Sequence, residues 1–245
     1  RGGKNQQVLI IIDGNPVTDA SMVGFEYDLR LIPVDQIESI EIMKGAASTL
    51  YGTGAGAAVI NITLKKAAVK PFQINAYYNA GTNNTTQDSK ITAKDYNQGA
   101  AISGKLNKIN YFSSTNSTQS GNISEIAQPQ NEVYEKDRFS RYNLLGKLGW
   151  QTTQKLRLDF FGTLDKINQD YDFMFDNTGF DDTNKNKSNT QQFRFGFSPK
   201  YNYKNGEIKL NSNFSNIERK YQEWDNWNND FTFTQYFSRN VNLDL

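Results

Sequence analysis

From Pro71 to the end of the chain, apolar and polar residues alternate with a period of two, the pattern of strands with one apolar and one polar face. The clearest hairpin runs from Phe193 to Phe214. Phe193, Phe195, Phe197, Pro199, Tyr201 and Tyr203 lie on one face. Gln192, Arg194, Gly196, Ser198, Lys200 and Asn202 lie on the other. Asn205-Gly206 predicts a two-residue type I′ turn. Pairing Lys204 with Glu207 then sets Tyr203 opposite Ile208, with Leu210, Ser212 and Phe214 following in phase. A second hairpin sets Tyr142, Leu144, Gly146, Leu148 and Trp150 against Leu156, Leu158, Phe160, Gly162 and Leu164, turning at Thr152-Thr153-Gln154. A weaker third runs from Gly99 to Asn116 and turns near Asn107-Lys108. Phe72–Ala80 reads as a strand before it, and Phe231–Phe237 as part of a last one.

The connections carry information of their own. Turns near Asn107, Thr153 and Asn205 are tight, whereas Gly81–Asn97, Gln119–Asp137, Lys166–Asn189 and Glu218–Asn229 read as long polar loops. Short turns on one side and long loops on the other is the asymmetry of an outer-membrane barrel. A soluble β-sandwich is the alternative. Aromatic residues beside the turns (Trp150, Tyr201, Tyr203) favour the barrel, as they fit an interfacial girdle.

The first quarter is different. Val8–Ile12 is a continuous apolar run closed by Asp13-Gly14-Asn15-Pro16, which predicts a doubly buried strand and a turn. Thr18–Arg30 reads as a loop with a short helical portion, and Val34-Asp35-Gln36 after Pro33 as a helical turn. The stretch from Gln36 to Lys66 organises the rest. Ile37, Ile40 and Ile42 stand among Glu38, Glu41 and Lys44; a small-residue turn and short helical piece lead through Gly45 and Ser48 to Tyr51. Glycines from Gly52 to Gly56 then bend the chain into Val59–Leu64. These glycines lack the Lys-Ser/Thr of a phosphate-binding loop.

Several of these pieces occur together in a known order: Ile11-Ile12-Asp13-Gly14, Leu31-Ile32-Pro33, Ile37–Ile42, Lys44–Gly52 and Ala58–Thr63. In this the chain resembles the plug domain of TonB-dependent outer-membrane receptors, and its Asn-, Lys- and Tyr-rich remainder looks like those of the Bacteroidetes type. The resemblance implies an α+β plug domain (1–67) followed by antiparallel transmembrane β-barrel strands (72–245). A barrel of about eight strands could not enclose a plug, so the chain reads as a fragment of a larger plugged barrel. The absence of a starting Met or apolar leader also suggests a piece of a longer polypeptide.

The same resemblance implies that Asp13, Gly14, Ile32, Pro33, Glu38, Glu41, Lys44, Gly45, Ser48, Tyr51, Gly52 and Asn61 form the plug motif or meet the barrel wall. Polar partners on the strands would be Arg or Lys. The family's frequent Arg between Ile and Pro is missing here, and Arg30 stands nearby. The implied function is active import of a nutrient (glycan, peptide or metal chelate) across the cell outer membrane. The plug sits inside the barrel and the loops are extracellular. A TonB-type energy transducer would pull an upstream segment outside this chain. Outer-membrane lipid, the transported ligand and a surface lipoprotein lid are the other implied partners. Thr53, Tyr171, Asp172, Trp224 and Trp227 are candidate ligand-facing residues, since aromatic rings with carboxylates or amides suit sugar-like ligands; an oligomeric nutrient is favoured over haem. An outer-membrane secretion or adhesion component remains an alternative to import.

Composition sharpens this picture. The 245 residues are 37% hydrophobic and 13% aromatic, with mean hydropathy of -0.70; a disordered chain would lack the aromatics. Net charge of +1 gives no electrostatic case for nucleic acid. Neither His nor Cys occurs, so a Ser-His-Asp or Cys-His centre cannot be built from these residues. The acidic run at Asp172, Asp176 and Asp181-Asp182 lacks EF-hand spacing and reads as a solvated loop. No catalytic residues, cofactor or metal are expected.

Overall fold

A computed structural model describes residues 7–22, 24–45, 55–83, 93–123, 137–176, 179–225 and 227–244, without the side chains of 122–123, 172–176 and 179–185. Two sheets account for nearly all of it. The N-terminal sheet contains β1 (Val8–Ile12), β2 (Asn15–Val17), β3 (Ile37–Lys44) and β4 (Ala58–Leu64), in the order β2-β1-β4-β3. β1 runs parallel to β4, and the other neighbours are antiparallel.

The Val8–Ile12 run is buried along four of its five residues, as a strand covered on both faces must be. Asp13 (φ 50°) and Gly14 (φ 83°) form the two-residue link between the paired residues Ile12 and Asn15. Positive φ at both central positions is the type I′ geometry that glycine tolerates best. Pro33 precedes a 3₁₀ turn at Val34–Gln36 with Asp35 in its first turn, as predicted. Ile37 and Ile40 lie three apart, so strict alternation cannot keep both on one face. The ladder accommodates this with a register irregularity between Ile37 and Ser39. The predicted short helical piece and glycine bend, with Ser48, Tyr51, Gly52 and Thr53, lie outside the described residues. Gly45 (φ 108°) opens that segment, its N–H bonded to Ala57 O at 2.8 Å.

The second sheet is an antiparallel wall. It contains β5 (Gln73–Gly81), β6 (Asp95–Leu106), β7 (Ile109–Ile123), β8 (Asp137–Gln151), β9 (Leu156–Asp176), β10 (Gly179–Tyr203), β11 (Gly206–Lys209), β12 (Asn211–Asp225) and β13 (Asp230–Asp244). From β5 to β13 each wall strand pairs with the next in sequence, and β11 is the short start of the β12 strand. The tight turns at Asn107-Lys108 and Thr153 form as predicted.

The third tight turn is displaced. Tyr203 pairs with Gly206, and Tyr201 rather than Tyr203 stands opposite Ile208. The two-residue link is therefore Lys204-Asn205, and neither Asn205 nor Gly206 has positive φ. The longer ladder to β12, with Phe195 opposite Phe214, fixes the register. A shift of two residues leaves every side chain on its predicted face.

Two predicted loops are also corrected. The stretch 166–189 is strand except at 177–178, and 218–229 is strand as far as Asp225. Polar composition suggested loops, yet these segments pair continuously. Asn189 faces Asn168 and Lys220, with side-chain bonds from Asn168 Nδ2 to Ser140 Oγ (3.0 Å) and from Asn189 Nδ2 to Asn168 Oδ1 (2.5 Å). The outward residues turn polar there while the ladder itself continues.

The wall's two faces invert those of a soluble sandwich. Its apolar face is open: Leu144, Leu148, Leu164, Phe193, Phe195 and Phe237 are all exposed. Its polar face is covered by the N-terminal unit, which buries Asn143, Asp165, Thr190, Gln192, Arg194, Arg219 and Ser238. Four apolar residues break the inner pattern. Phe112, Leu145, Ile167 and Ile217 join Ile10, Ile12, Val17, Tyr27, Leu31, Ile32, Ile62 and Leu64 in one buried cluster. Truncating Leu145, which is fully buried, to Ala should cost about 2–5 kcal/mol. A thermal-denaturation series should show that loss, whereas Leu144→Ala on the open face should cost far less.

Candidate functional site: the seam between the N-terminal unit and the wall

The loop from Val17 to Pro33 provides most of the seam. Asp19 is completely buried and meets Arg219 of β12, with Oδ2 2.7 Å from Nη2 and 3.0 Å from Nε. Arg219 also donates to Ser21 Oγ (3.1 Å) and, within the wall, to Thr190 Oγ1 (3.0 Å). Asp28 approaches the same guanidinium at 3.8 Å. Ser21 in turn bonds Asp19 through both its N–H and its hydroxyl. The cation is thus satisfied on several sides, which a buried charge requires.

Further along, Tyr27 donates to Gln192 Oε1 at 2.8 Å. Burial, together with the nearby Asp165 charge and against the opposing pull of Arg194, pushes the Tyr27 hydroxyl up to about 12. Burial would raise the Asp28 carboxyl, but hydrogen bonds and charge from Arg30, with Arg219 adding to them, hold it below the ordinary carboxylate range. Arg30 reaches the wall itself, donating to Gln169 Oε1 at 2.7 Å. Its carbonyl accepts from Arg141, and the Leu31 carbonyl accepts from Asn143 (2.9 Å).

A second ion pair anchors the sheet. Asp13 Oδ1 accepts from Leu64 N (2.9 Å), tying the β1 turn to the end of β4. Its Oδ2 meets Lys147 Nζ of β8 at 2.7 Å, and the same ammonium donates to Leu64 O (3.2 Å). β13 completes the seam. Ser238 Oγ accepts from Ala20 N (3.0 Å), and Asn240 and Asn242 donate to the carbonyls of Thr18 and Pro16.

The predicted residues divide accordingly. Asp13 touches the wall; Ile32 and Pro33 are buried, and Gly14 forms the turn. Glu38, Glu41 and Lys44 are exposed on β3, and Glu41 accepts from Asn61 (3.2 Å) rather than from a wall residue. The basic wall residues that meet the N-terminal unit are Lys147, Arg141 and Arg219, and among the described residues none of them pairs with Glu38 or Glu41. Their mates are Asp13, backbone carbonyls and the Asp19–Asp28 loop. Asp19, Tyr27 and Asp28 were missed because nothing in a loop sequence distinguishes a buried carboxylate from a solvated one. Arg219, at a polar-face position of an alternating strand, was the available signal.

Of the candidate ligand-facing residues, Tyr171 shares the polar-face alternation and donates to Glu223 Oε1 across the sheet (2.9 Å). Trp224 falls in the opposite alternation set and packs edge-on against Phe231, centroids 4.9 Å apart. Trp227 is fully exposed in the 227–229 turn. The side chain of Asp172 is outside the described ones. Among the described residues, no three His, Cys, Asp or Glu side chains cluster as metal ligands, and no helix is long and apolar enough to cross a membrane.

Breaking the Asp19–Arg219 pair from one side, by Arg219→Ala, should cost about 3–5 kcal/mol, because it strands a buried carboxylate. Hydrogen exchange of amides 18–32 should rise sharply in this variant and much less in Lys147→Ala, whose pair is partly exposed. The pH dependence follows from the two loop groups. Asp28 is shifted down, so its contribution is present above the ordinary value of 3.8 and is lost as pH falls below it. Tyr27 is shifted up, so its contribution is complete below pH 10 and is lost between there and about 12. Exchange protection of the loop should therefore be flat between these limits.

Residues 1–59 match the TonB-dependent Receptor Plug Domain family. The chain is 25% identical over 174 residues to the ferric enterobactin receptor PirA of Pseudomonas aeruginosa, covering 65% of this chain and 23% of that receptor. It is 35% identical over 89 residues to the ferrienterobactin receptor of Escherichia coli, covering 33% and 12%. In fold it resembles the crystal structure of the siderophore receptor PirA from Acinetobacter baumannii, with a TM-score of 0.69 at 19% identity. That likeness takes in 99% of this chain and 37% of the other. The chain thus spans well under half the length of the proteins it matches. Residues 1–59 thus match the plug domain of TonB-dependent receptors, and the chain as a whole shares the fold of the siderophore receptor PirA.

Proposed function

We propose that this chain forms the plug and part of the barrel wall of a receptor that imports a metal chelate across the outer membrane under TonB control. The observation that carries the reading is the seam itself. A small domain is clipped to the polar face of a wall whose other face is apolar and open. Such a wall suits a bilayer only with the domain on the lumen side. Relatives named for ferric enterobactin favour a chelate over the oligomeric nutrient that composition suggested.

In this reading the tight turns face the periplasm, and the upper parts of β9, β10, β12 and β13 stand outside the cell. Tyr171, Glu223 and the neighbouring Tyr221–Tyr236 pair form a lumen-facing shelf above the plug loop where ligand rests. A lipoprotein lid would have the exposed Trp227 turn to grip. Glu38, Glu41 and Lys44 on open β3 face the rest of the lumen. A TonB-type transducer pulls on chain upstream of the plug, and the seam yields.

A tether tests this. The 245 residues contain no cysteine, and Ala20 N lies 3.0 Å from Ser238 Oγ. In the full-length receptor, Ala20→Cys with Ser238→Cys should, when oxidised, abolish uptake of ferric enterobactin while leaving its binding intact, and reduction should restore uptake. Unchanged uptake through the oxidised tether would show that the seam does not open there. Loss of binding in the untethered receptor would reject the chelate.

A further inference from the structure

At the end of the wall that carries the tight turns, charge is sorted by sign. Each of the three turns holds a lysine, namely Lys108, Lys155 and Lys204. Neighbouring turns are joined through the backbone, with Gln151 N donating to Lys108 O and Asn202 N to Lys155 O, both at 2.8 Å. The link from the N-terminal unit adds Lys65, Lys66 and Lys70 and no carboxylate. Lys70 O accepts from Lys105 N (3.0 Å) near the foot of β6. Among the described residues, the acids at this end of the wall are Asp159, Glu207 and Asp244.

The sorting is sharpest in one cross-strand row. Arg157 of β9 is paired with Lys200 of β10, and Lys200 with Lys209 of β11. All three lie on the wall's polar face, in alternation with Asp159, Ser198 and Glu207. Like charges directly opposite one another destabilise a sheet. Two carboxylates relieve part of this: Asp159 Oδ1 meets Arg157 Nη2 at 2.7 Å, and Glu207 Oε2 meets Lys200 Nζ at 2.5 Å. The Arg157 guanidinium lies over Gly149, where an added Cβ would come within 2.3 Å of Nη2. Lys209 is exposed and has neither hydrogen bond nor ion pair among the described residues. The row thus keeps one unanswered positive charge.

These cations do not address a bilayer. Outward positions at the same strand ends hold Trp150, Leu156, Tyr201, Tyr203 and Ile208, which carry no charge. Higher on the polar face, Arg141, Arg194 and Arg219 stand among at least as many carboxylates, Asp137, Asp165 and Glu223 included. That face therefore grows more positive towards the tight turns, the direction an anion takes down a potential gradient.

We infer that the Arg157–Lys200–Lys209 row is an exit station, which receives the imported chelate as a polyanion at the periplasmic mouth before release. A ferric tris-catecholate suits it, because its deprotonated oxygens outweigh the charge of the metal. Lys209 makes the direct contact. Arg157 and Lys200 keep their carboxylate partners and position Lys209 in the row. A neutral chelate would leave Lys209 unanswered. The inference rests on the import reading above, with the tight turns facing the periplasm.

Uptake of radiolabelled ferric enterobactin by cells carrying the full-length receptor provides the test. Lys209→Glu should leave surface binding and the half-saturating concentration unchanged and lower the maximal rate about tenfold. Lys209→Gln should fall between it and the native receptor, and Lys209→Arg should keep the native rate. Lys209→Gln also removes a like-charge pair, so its melting temperature should hold or rise; a residue needed only for folding would lose stability along with uptake. A full maximal rate in Lys209→Glu, or an equal loss in Lys209→Arg, would overturn the exit station. So would weaker capture of the transducer's periplasmic domain by purified Lys209→Glu receptor, which would give the row to a protein partner. Surface binding separates the two levels: a native receptor that does not bind ferric enterobactin refutes the chelate reading and the station with it, whereas binding and uptake untouched by Lys209→Glu refute only the station.

Discussion

Everything in this molecule depends on the wall turning its apolar face away from the protein. A sheet in water buries that face and wets the other. Here Leu144, Leu164 and Phe193 stay open while Asn143, Asp165 and Gln192 are covered. Whatever docks on the covered face must satisfy most of its amides, carboxylates and guanidinium groups, because each one left unpaired is costly. That requirement explains the covering domain's loop, which presents carbonyls and carboxylates. Thr18 and Pro16 offer oxygens to β13, Leu31 to Asn143, and Asp19 to Arg219.

Such a seam holds firmly without being permanent. Its apolar share is small: four buried wall residues, with Ala101 and Phe139 partly buried beside them, meet the cluster of the N-terminal unit. Its polar share carries built-in weakness. Among the described residues, Asn143 Oδ1, Gln192 Nε2 and Arg141 Nε are buried without a hydrogen-bond partner. Their desolvation is already borne in the docked state, and separation into a wet lumen returns it. An interface of this kind keeps its register through directional bonds, yet costs less to open than a hydrocarbon core of the same area.

The sequence made the wall legible because period-two alternation follows directly from a two-sided environment, and a two-residue slip at Lys204-Asn205 leaves it intact. It also made legible the β1 turn, where only small or Asp-like residues accept φ of 50° and 83°. It did not show where strands end. Asn168 and Asn189 look like loop residues, but they are a ladder that has left the apolar zone. Nor did it pair the charges. Glu38, Glu41 and Lys44 are conspicuous on an alternating strand, whereas Asp19 and Asp28 sit in an irregular loop. The choice between them is made by a fold that brings residue 19 to residue 219, a separation no local pattern encodes.

The length of the strands carries the last step. β9 has 21 residues and β10 has 25, whereas a tilted strand crosses a bilayer in about 9–11. Most of the surplus lies beyond the row of Tyr142, Lys166, Gln191 and Glu218. Its described part is held by side-chain amides such as Asn168 and Asn189 and by the contacts of Gln169 and Arg219 with the N-terminal loop. A loop of the same length would be a poor scaffold for a ligand, since ordering it on binding costs conformational entropy residue by residue. Building the rim as continued sheet removes that cost in advance. It sets Tyr171 and Glu223 at fixed positions on the same strands that carry Arg219, the residue that clips the loop.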